Sequence, residues 1–245
     1  MEIKMTELPR QLVVVTGASS GIGLAMVRLL LDEGYSVLGI AKDFHSASID
    51  HEHYTTHTLD MADLDNLPAA IGVIVRELEQ SEMPIKALVN NAGIGKMGYL
   101  EQLSVEDIRL VMDTNFISHA IVTKTFLPLL KKQVQADILF TGSEAALKGA
   151  RQGSVYCASK FAIRGFSQAL REECGKSGVR VTLINPGAVR TPFFDELHFE
   201  PGAAQDNAIE PEDIAKVLIS VIQARAGTVF DEITMSPLNH VWQRK

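Results

Sequence analysis

The sequence predicts a doubly wound α/β fold, read as one domain over residues 1–245, and three observations carry that expectation. Short Val/Ile/Leu-rich runs alternate with longer amphipathic stretches, the order that builds a parallel sheet with helices on its faces. The runs at 12–16, 87–90 and 179–185 are nearly all apolar, as strands covered on both faces require. The first of them breaks into a glycine-rich turn and then a helical pattern, VVVTGASSGIG.

Taken in order, the expected strands are 12–16, 36–40, 54–58, 87–90, 138–141, 179–185 and 228–234. The run at 54–58 is the weakest, because it is mostly polar. The expected helices are 22–32, 64–79, a long stretch over 105–131, then 155–174 and 211–223. Pro211-Glu212-Asp213 opens the last helix with a proline and two acids, which suit a helix N-terminus. The chain holds no internal repeat or low-complexity linker.

Composition excludes several classes. The 245 residues are 46% hydrophobic and 22% charged, ordinary for a globular protein that buries a full core. The net charge of −7 argues against a nucleic-acid partner, since phosphate binding leans on Lys and Arg. Two cysteines, Cys157 and Cys174, make no disulfide framework and fit a reducing compartment. The N-terminal apolar run in MEIKMTELPRQLVVVTG is too short for a signal core or a membrane span. The expected location is cytoplasmic, with no membrane partner.

In a doubly wound fold, ligands sit beyond the carboxyl ends of the strands. After the first strand comes Gly17-Ala18-Ser19-Ser20-Gly21-Ile22-Gly23. Gly17 permits a tight turn, Gly21 lets a phosphate approach the backbone, and Gly23 lets the helix pack close to the sheet. The helix N-terminus then offers free N–H groups to a pyrophosphate. The second strand leads into Ala41-Lys42-Asp43. A basic residue there favours the 2′-phosphate of NADP(H), so Lys42 points to NADP(H), with NAD(H) as the alternative if Asp43 takes the ribose.

Tyr156 and Lys160 stand at i and i+4 of one expected helix and share a face. A nearby ammonium lowers a phenol's pKa, which makes the pair a candidate for proton transfer. Ser143 follows the strand at 138–141 in TGSEAA, and Asn90-Asn91-Ala92-Gly93 follows the strand at 87–90. Asn115 lies in the long helical stretch, where a polar amide needs partners. Four histidines, His45, His51, His53 and His57, cluster between the second and third strands, but lack the carboxylate or thiol set of a metal centre; no metal is expected. Glu144 beside Ser143 has no evident role.

The ordered set TGASSGIG, LDMAD, NNAG, the Asn of DTN, the Ser of TGS, YCASK and NPGAVRT resembles the short-chain dehydrogenase/reductase family over nearly the whole length. The resemblance implies a single Rossmann-type domain with a seven-stranded parallel sheet, usually a homodimer or homotetramer. It implies that Tyr156 moves the proton on the substrate oxygen and that Lys160 lowers its pKa and holds the nicotinamide ribose. By the same likeness, Ser143 orients the carbonyl oxygen and Asn115 holds a relay water. It implies that Gly17, Ser19, Ser20, Gly21, Ile22 and Gly23 surround the phosphate end, Asp60 and Met61 flank the adenine, and Asn91, Ala92 and Gly93 meet the ribose. Pro186, Gly187, Val189 and Thr191 would hold the carboxamide. The loop after the second strand is shorter than the family's usual helix and is expected to hold a turn or two.

The irregular stretch 189–210, with Phe193, Phe194, Leu197 and Phe199, is expected to form a lid over an apolar substrate portion. Ala145, Gln152 and Phe193 are the substrate-side candidates, with residues 95–99 on the opposite wall. Lys96, Arg151 and Arg190 stand where they could meet an anion. VFDEITMSP resembles a subgroup that includes NADP-dependent 3-hydroxy acid and serine dehydrogenases. The tail with Trp242, the only tryptophan, is expected to be exposed and to pack on a neighbouring subunit. The reading is an NADP(H)-dependent carbonyl reductase or alcohol dehydrogenase acting on a small molecule. The alternatives are a 3-hydroxy acid or serine-type dehydrogenase, an epimerase or lyase of the same fold, for which the chain has no spare length, and a non-catalytic NADP(H) sensor.

Overall fold

A computed structural model describes residues 10–45, 49–81 and 83–245. The expectation for residues 1–9, and the part of the histidine loop at 46–48, lie outside them. Nine strands and six α-helices follow one another among the described residues. They are β1 (Leu12–Thr16), α1 (Gly21–Asp32), β2 (Ser36–Ala41), β3 (Tyr54–Thr58), α2 (Leu67–Ser81), β4 (Ile85–Asn90), α3 (Val105–Met112) and α4 (Ser118–Leu130). Then come β5 (Ala136–Thr141), α5 (Ser154–Cys174), β6 (Val179–Pro186), β7 (Phe199–Pro201), α6 (Pro211–Ile222), β8 (Glu232–Met235) and β9 (Trp242–Arg244).

Seven strands form one parallel sheet in the order β3-β2-β1-β4-β5-β6-β8. The apolar runs explain the order. β1, β2, β4, β5 and β6 are buried at every position, and polar β3 takes an edge, where half of each residue can face water. One face is covered by α2, α4 and α5 around Phe126, Phe140 and Ile163. The other is covered by α1 and α6 around Met26, Leu30 and Leu218. Strand order reverses between β1 and β4, and the crevice outside their carboxyl ends is where such a sheet binds ligands.

Three expectations change. The helical stretch 105–131 is two helices, because a π-helical turn, Asp113–Ile117, interrupts it; such turns recur at functional sites. The last strand of the sheet spans Glu232–Met235 instead of 228–234. No helix forms between β2 and β3 among the described residues.

The amino ends of the strands hold a buried ionic cluster. Arg180 Nε and Nη2 donate to the two oxygens of Asp137 at 2.6 and 2.9 Å, and Lys86 Nζ lies 3.4 Å from the same carboxylate. Arg180 also donates to the carbonyls of Val221, Ala224, Arg225 and Thr228, so it closes the carboxyl end of α6 onto the sheet.

Candidate active site

The site is built from the carboxyl ends of the strands. Thr16, the last residue of β1, accepts at its hydroxyl from the N–H groups of Asn91 (2.9 Å) and Ala92 (3.1 Å). Asn91 donates back to the Thr16 carbonyl at 3.1 Å and accepts from the Thr141 hydroxyl at 3.0 Å. The ends of β1, β4 and β5 are thereby locked together.

The glycine turn sits on this lock. Gly17 has φ +66° and Gly21 φ +49°, the left-handed region that favours glycine. A Cβ on Gly23 would lie 2.0 Å from the Gly17 carbonyl oxygen, so α1 can start against the turn only with glycine there.

Tyr156 and Lys160 project from the first turns of α5, and both are buried. The Lys160 ammonium donates to the Thr141 carbonyl at 3.0 Å and lies 5.7 Å from the Tyr156 ring centroid. Burial pulls Lys160 down to about 8. Burial pushes Tyr156 up to about 12, opposed by a hydrogen bond with Ser143. In this arrangement desolvation of the phenolate outweighs the hydrogen bond, with Lys160 engaged by the Thr141 carbonyl. Ser143 is placed by its own N–H, which donates to Asn185 Oδ1 at 3.2 Å, and its hydroxyl accepts from the Ala145 N–H at 3.1 Å.

Asn115 lies in the π turn with no exposure. Its Oδ1 accepts from the Ile94 N–H at 2.9 Å, and its Nδ2 donates to the Ile94 carbonyl (3.0 Å) and the Ser159 hydroxyl (3.1 Å). The amide thus has the partners its burial demands, and it ties the loop after Gly93 to α5.

One cleft of about 1540 Å³ runs from the glycine turn to the lid. Gly17, Ser20, Gly21, Ile22, Asn91, Ala92 and Gly93 line it, as do Ser143, Ala145, Gln152, Tyr156, Lys160, Pro186, Gly187, Val189, Thr191 and Phe193. Ser19, Gly23, Lys42, Asp60, Met61 and Asn115 do not. Met61 is buried in the core beside α2. Lys42 Nζ lies 3.0 Å from Asp60 Oδ2 beyond the ends of β2 and β3, the lysine largely exposed and the aspartate partly buried. Phe193 packs on Tyr156 with ring centroids 5.7 Å apart and covers bare Gly95, where a Cβ would meet its ring at 2.6 Å.

The stretch 189–210 is more ordered than its sequence implied, with β7 inside it. β9 pairs with β7 antiparallel, and Trp242 packs on Phe194 and Phe199 at 5.9 and 5.3 Å. The tail therefore braces the chain's own apolar stretch, and Trp242 remains half exposed. Two of the three cations expected to meet an anion already have carboxylates: Lys96 pairs with Glu196 and Arg190 with Glu210. Arg151 donates to the Tyr99 hydroxyl.

Sequence reasoning missed Thr16, Thr141, Asn185 and Ser159, which read as ordinary strand or helix residues. The signal they carry is their place inside TGASSGIG, TGS, NPGAVRT and YCASK, motifs in which sequence reasoning gave them no role. It also missed His119, fully buried in α4. His119 Nε2 lies 2.8 Å from the Ala92 carbonyl, which can only accept, so Nε2 carries the proton and the ring is neutral; Nδ1 has no partner among the described residues. Burial, reinforced by the Lys160 ammonium, pulls its pKa down to about 3. Between that value and the unfolded one the unfolded chain binds the extra proton, so this group lowers stability as pH falls. Wild type should lose about 3 kcal/mol more stability from pH 7 to pH 4 than His119→Gln. Urea unfolding at the two pH values reads this, and equal losses would refute it.

Sequence comparison agrees with this architecture. Residues 11–201 match the family model described as short chain dehydrogenase, and the chain belongs to that family of oxidoreductases. Among its relatives, the sepiapterin reductase of Chlorobaculum tepidum is 32% identical over 93% of this chain and 96% of its own. The NADP-dependent 3-hydroxy acid dehydrogenase of Schizosaccharomyces pombe is 29% identical over 98% of this chain and 100% of its own. Among solved structures, serine dehydrogenase from Escherichia coli superposes with a TM-score of 0.79 at 28% identity, over 92% of this chain and 97% of that one.

Proposed function

We propose that the chain is an NADP(H)-dependent oxidoreductase interconverting a carbonyl and a secondary or primary alcohol on a small organic substrate. The observation that carries this reading is the meeting of Ser143, Tyr156 and Lys160 in the same cleft that begins at the glycine turn. The cleft fits a dinucleotide. Its one end is bare backbone at Gly17 and Gly21, whose left-handed φ values disfavour any side chain and leave the main chain open to a phosphate. When bound, the cofactor supplies or accepts the hydride.

The chain's own residues do the rest. Tyr156, a phenol that carries its proton at physiological pH, donates it to the oxygen of a carbonyl and takes it back from an alcohol. Ser143 donates a hydrogen bond to that oxygen as negative charge develops there. Lys160 stabilises the phenolate form and, with Asn91, Ala92 and Gly93, holds the ribose side. Asn115 positions the Ile94 backbone and Ser159 beside them. Pro186, Gly187, Val189 and Thr191 face the carboxamide. Phe193 and the stretch 189–210 cover the substrate and exclude water.

Lys42 is the residue for the 2′-phosphate. The hydrogen bond with Asp60 raises its pKa, so it stays charged, and its exposure leaves it free to turn to a phosphate. A hydroxy acid substrate has one observation in its favour: Lys148 and Arg244 line the mouth with no carboxylate at ion-pair distance among the described residues.

The test is cofactor oxidation with NADPH and NADH over ketones, aldehydes, diketones and keto acids. Turnover with NADPH is expected, and Lys42→Glu should weaken NADPH binding by about tenfold while changing NADH less. A wild-type kcat/KM clearly better with NADH, or equal losses for both cofactors in the variant, would remove the NADP(H) assignment.

A further inference from the structure

Ser143 stands just beyond the carboxyl end of β5, with its hydroxyl in a hydrogen bond with Tyr156. A chain of three side chains holds it from behind. Asn185 in β6, with no exposure, accepts at Oδ1 from the Ser143 N–H at 3.2 Å. Its Nδ2 donates to Glu232 Oε1 at 2.7 Å. Glu232, the first residue of β8, is held in turn by Arg164 Nε at 3.0 Å. Gly142 makes room for this arrangement, since a Cβ there would stand 2.1 Å from Asn185 Oδ1. Arg164 lies on α5, one turn beyond Lys160 and two beyond Tyr156. The tie therefore runs from Ser143 through β6 and β8 back to the helix that carries Tyr156.

The direction of the Asn185 amide decides whether this tie holds. An amide offers an acceptor oxygen on one side and two donor hydrogens on the other, and a carboxylate only accepts. Glu232 therefore draws Nδ2, and Oδ1 is left facing the Ser143 N–H. Nδ2 has no second acceptor among the described residues. Without the carboxylate the amide is free to turn, and its NH2 would then meet the Ser143 N–H, donor against donor. The other tether on Ser143 is the Ala145 N–H, which donates to its hydroxyl at 3.1 Å and leaves the hydroxyl proton to be given. We infer that Glu232 is a positioning residue: acting through Asn185, it fixes the backbone of Ser143 and so the reach of the Ser143 hydroxyl to the substrate oxygen beside Tyr156. The inference rests on the proposed carbonyl–alcohol chemistry and adds to it a residue on a different strand.

Glu232→Ala should lower kcat by about tenfold, less than a misplacement of about 1 Å can cost, while KM and cofactor affinity stay close to wild type. Glu232→Gln keeps an oxygen for the Asn185 amide and should lose only about threefold. The same substitutions are then made in a Ser143→Ala background. A residue that acts through Ser143 has nothing left to position there, so the further loss should disappear. A Glu232 that merely braces β8 against α5 predicts the same fold loss in both backgrounds, which overturns the inference, as does an unchanged kcat in the single variants. If Glu232→Ala does not fold, Glu232→Gln carries the comparison. Hydrogen exchange of the Ser143 amide, followed by NMR, is the arm that needs no turnover. It should quicken by about tenfold in Glu232→Ala, and by less in Glu232→Gln, relative to the Ile138 amide of β5; unchanged protection overturns the inference. A wild-type kcat in Ser143→Ala, or a protein that turns over no carbonyl or alcohol, removes the proposed chemistry instead, and the exchange arm alone then decides whether Glu232 positions Ser143.

Discussion

Replacing Tyr156 with phenylalanine should lower turnover by about 10³-fold, within the range a positioned general acid contributes, while cofactor affinity stays close to wild type. The ring is buried against Phe193, so the variant keeps its packing and loses only the hydroxyl. The hydroxyl is the one group in the cleft that has a proton to give at neutral pH, stands beside Ser143 and is screened from water. Its raised pKa keeps it protonated at neutral pH but makes it a weak acid, so on the proposed scheme proton donation depends on Lys160 moving from the Thr141 carbonyl toward the phenolate as it forms. Steady-state kinetics with NADPH, alongside a fluorescence titration of cofactor binding, separate the two effects. An unchanged kcat in Tyr156→Phe would remove the assignment of Tyr156 and the proton-transfer scheme built on it.

The second large effect is on stability. Asp137→Ala should destabilise the fold by about 3–5 kcal/mol, the range for breaking a buried ion pair from one side. Asp137 is 1% exposed and Arg180 6%, and Lys86 shares the carboxylate. Removing the acid leaves two cations near each other without a carboxylate at the amino ends of β4 and β6. Arg180 keeps its carbonyl acceptors on the α6 side, which limits the loss. Because the cluster lies at the opposite end of the strands from the cleft, the folded variant should retain its kcat. Equilibrium denaturation measures the first outcome, and a loss below about 1 kcal/mol would show that the cluster is no more than a neutral exchange for apolar packing.

Most of the fold was legible because its signals are local. A strand covered on both faces is mostly apolar, and VVV, ALV and ILF say so without help from the rest of the chain. The turn at Gly17–Gly23 was legible for a related reason: two left-handed φ values and a missing Cβ admit few residue types. The π turn was not legible. Asp113–Ile117 is as helix-compatible as its neighbours, and its register is set by Asn115 reaching the Ile94 backbone and Ser159, contacts between residues 21 and 44 positions apart.

The candidate site divides in the same way. Ser143, Tyr156 and Lys160 could be picked out because their residue types and spacing belong to proton transfer. Thr16, Thr141 and Asn185 could not, since a threonine or asparagine at a strand end has no chemistry of its own until a neighbour needs a partner. Lys96 and Arg190 looked free in sequence and are paired in space. Trp242 looked like an exposed tail, yet it closes on Phe194 and Phe199 through the pairing of β9 with β7.

The sequence by itself determined the doubly wound sheet and the glycine turn and singled out the candidate proton-transfer residues, because periodicity, backbone freedom and side-chain chemistry are written residue by residue. Only the tertiary structure decided the protonation tendencies of Tyr156, Lys160 and His119 and the bracing of the lid stretch by the tail. It also decided the tie from Glu232 through Asn185 to Ser143. Each of these depends on desolvation or on a contact between distant segments, and both quantities exist only once the chain has packed.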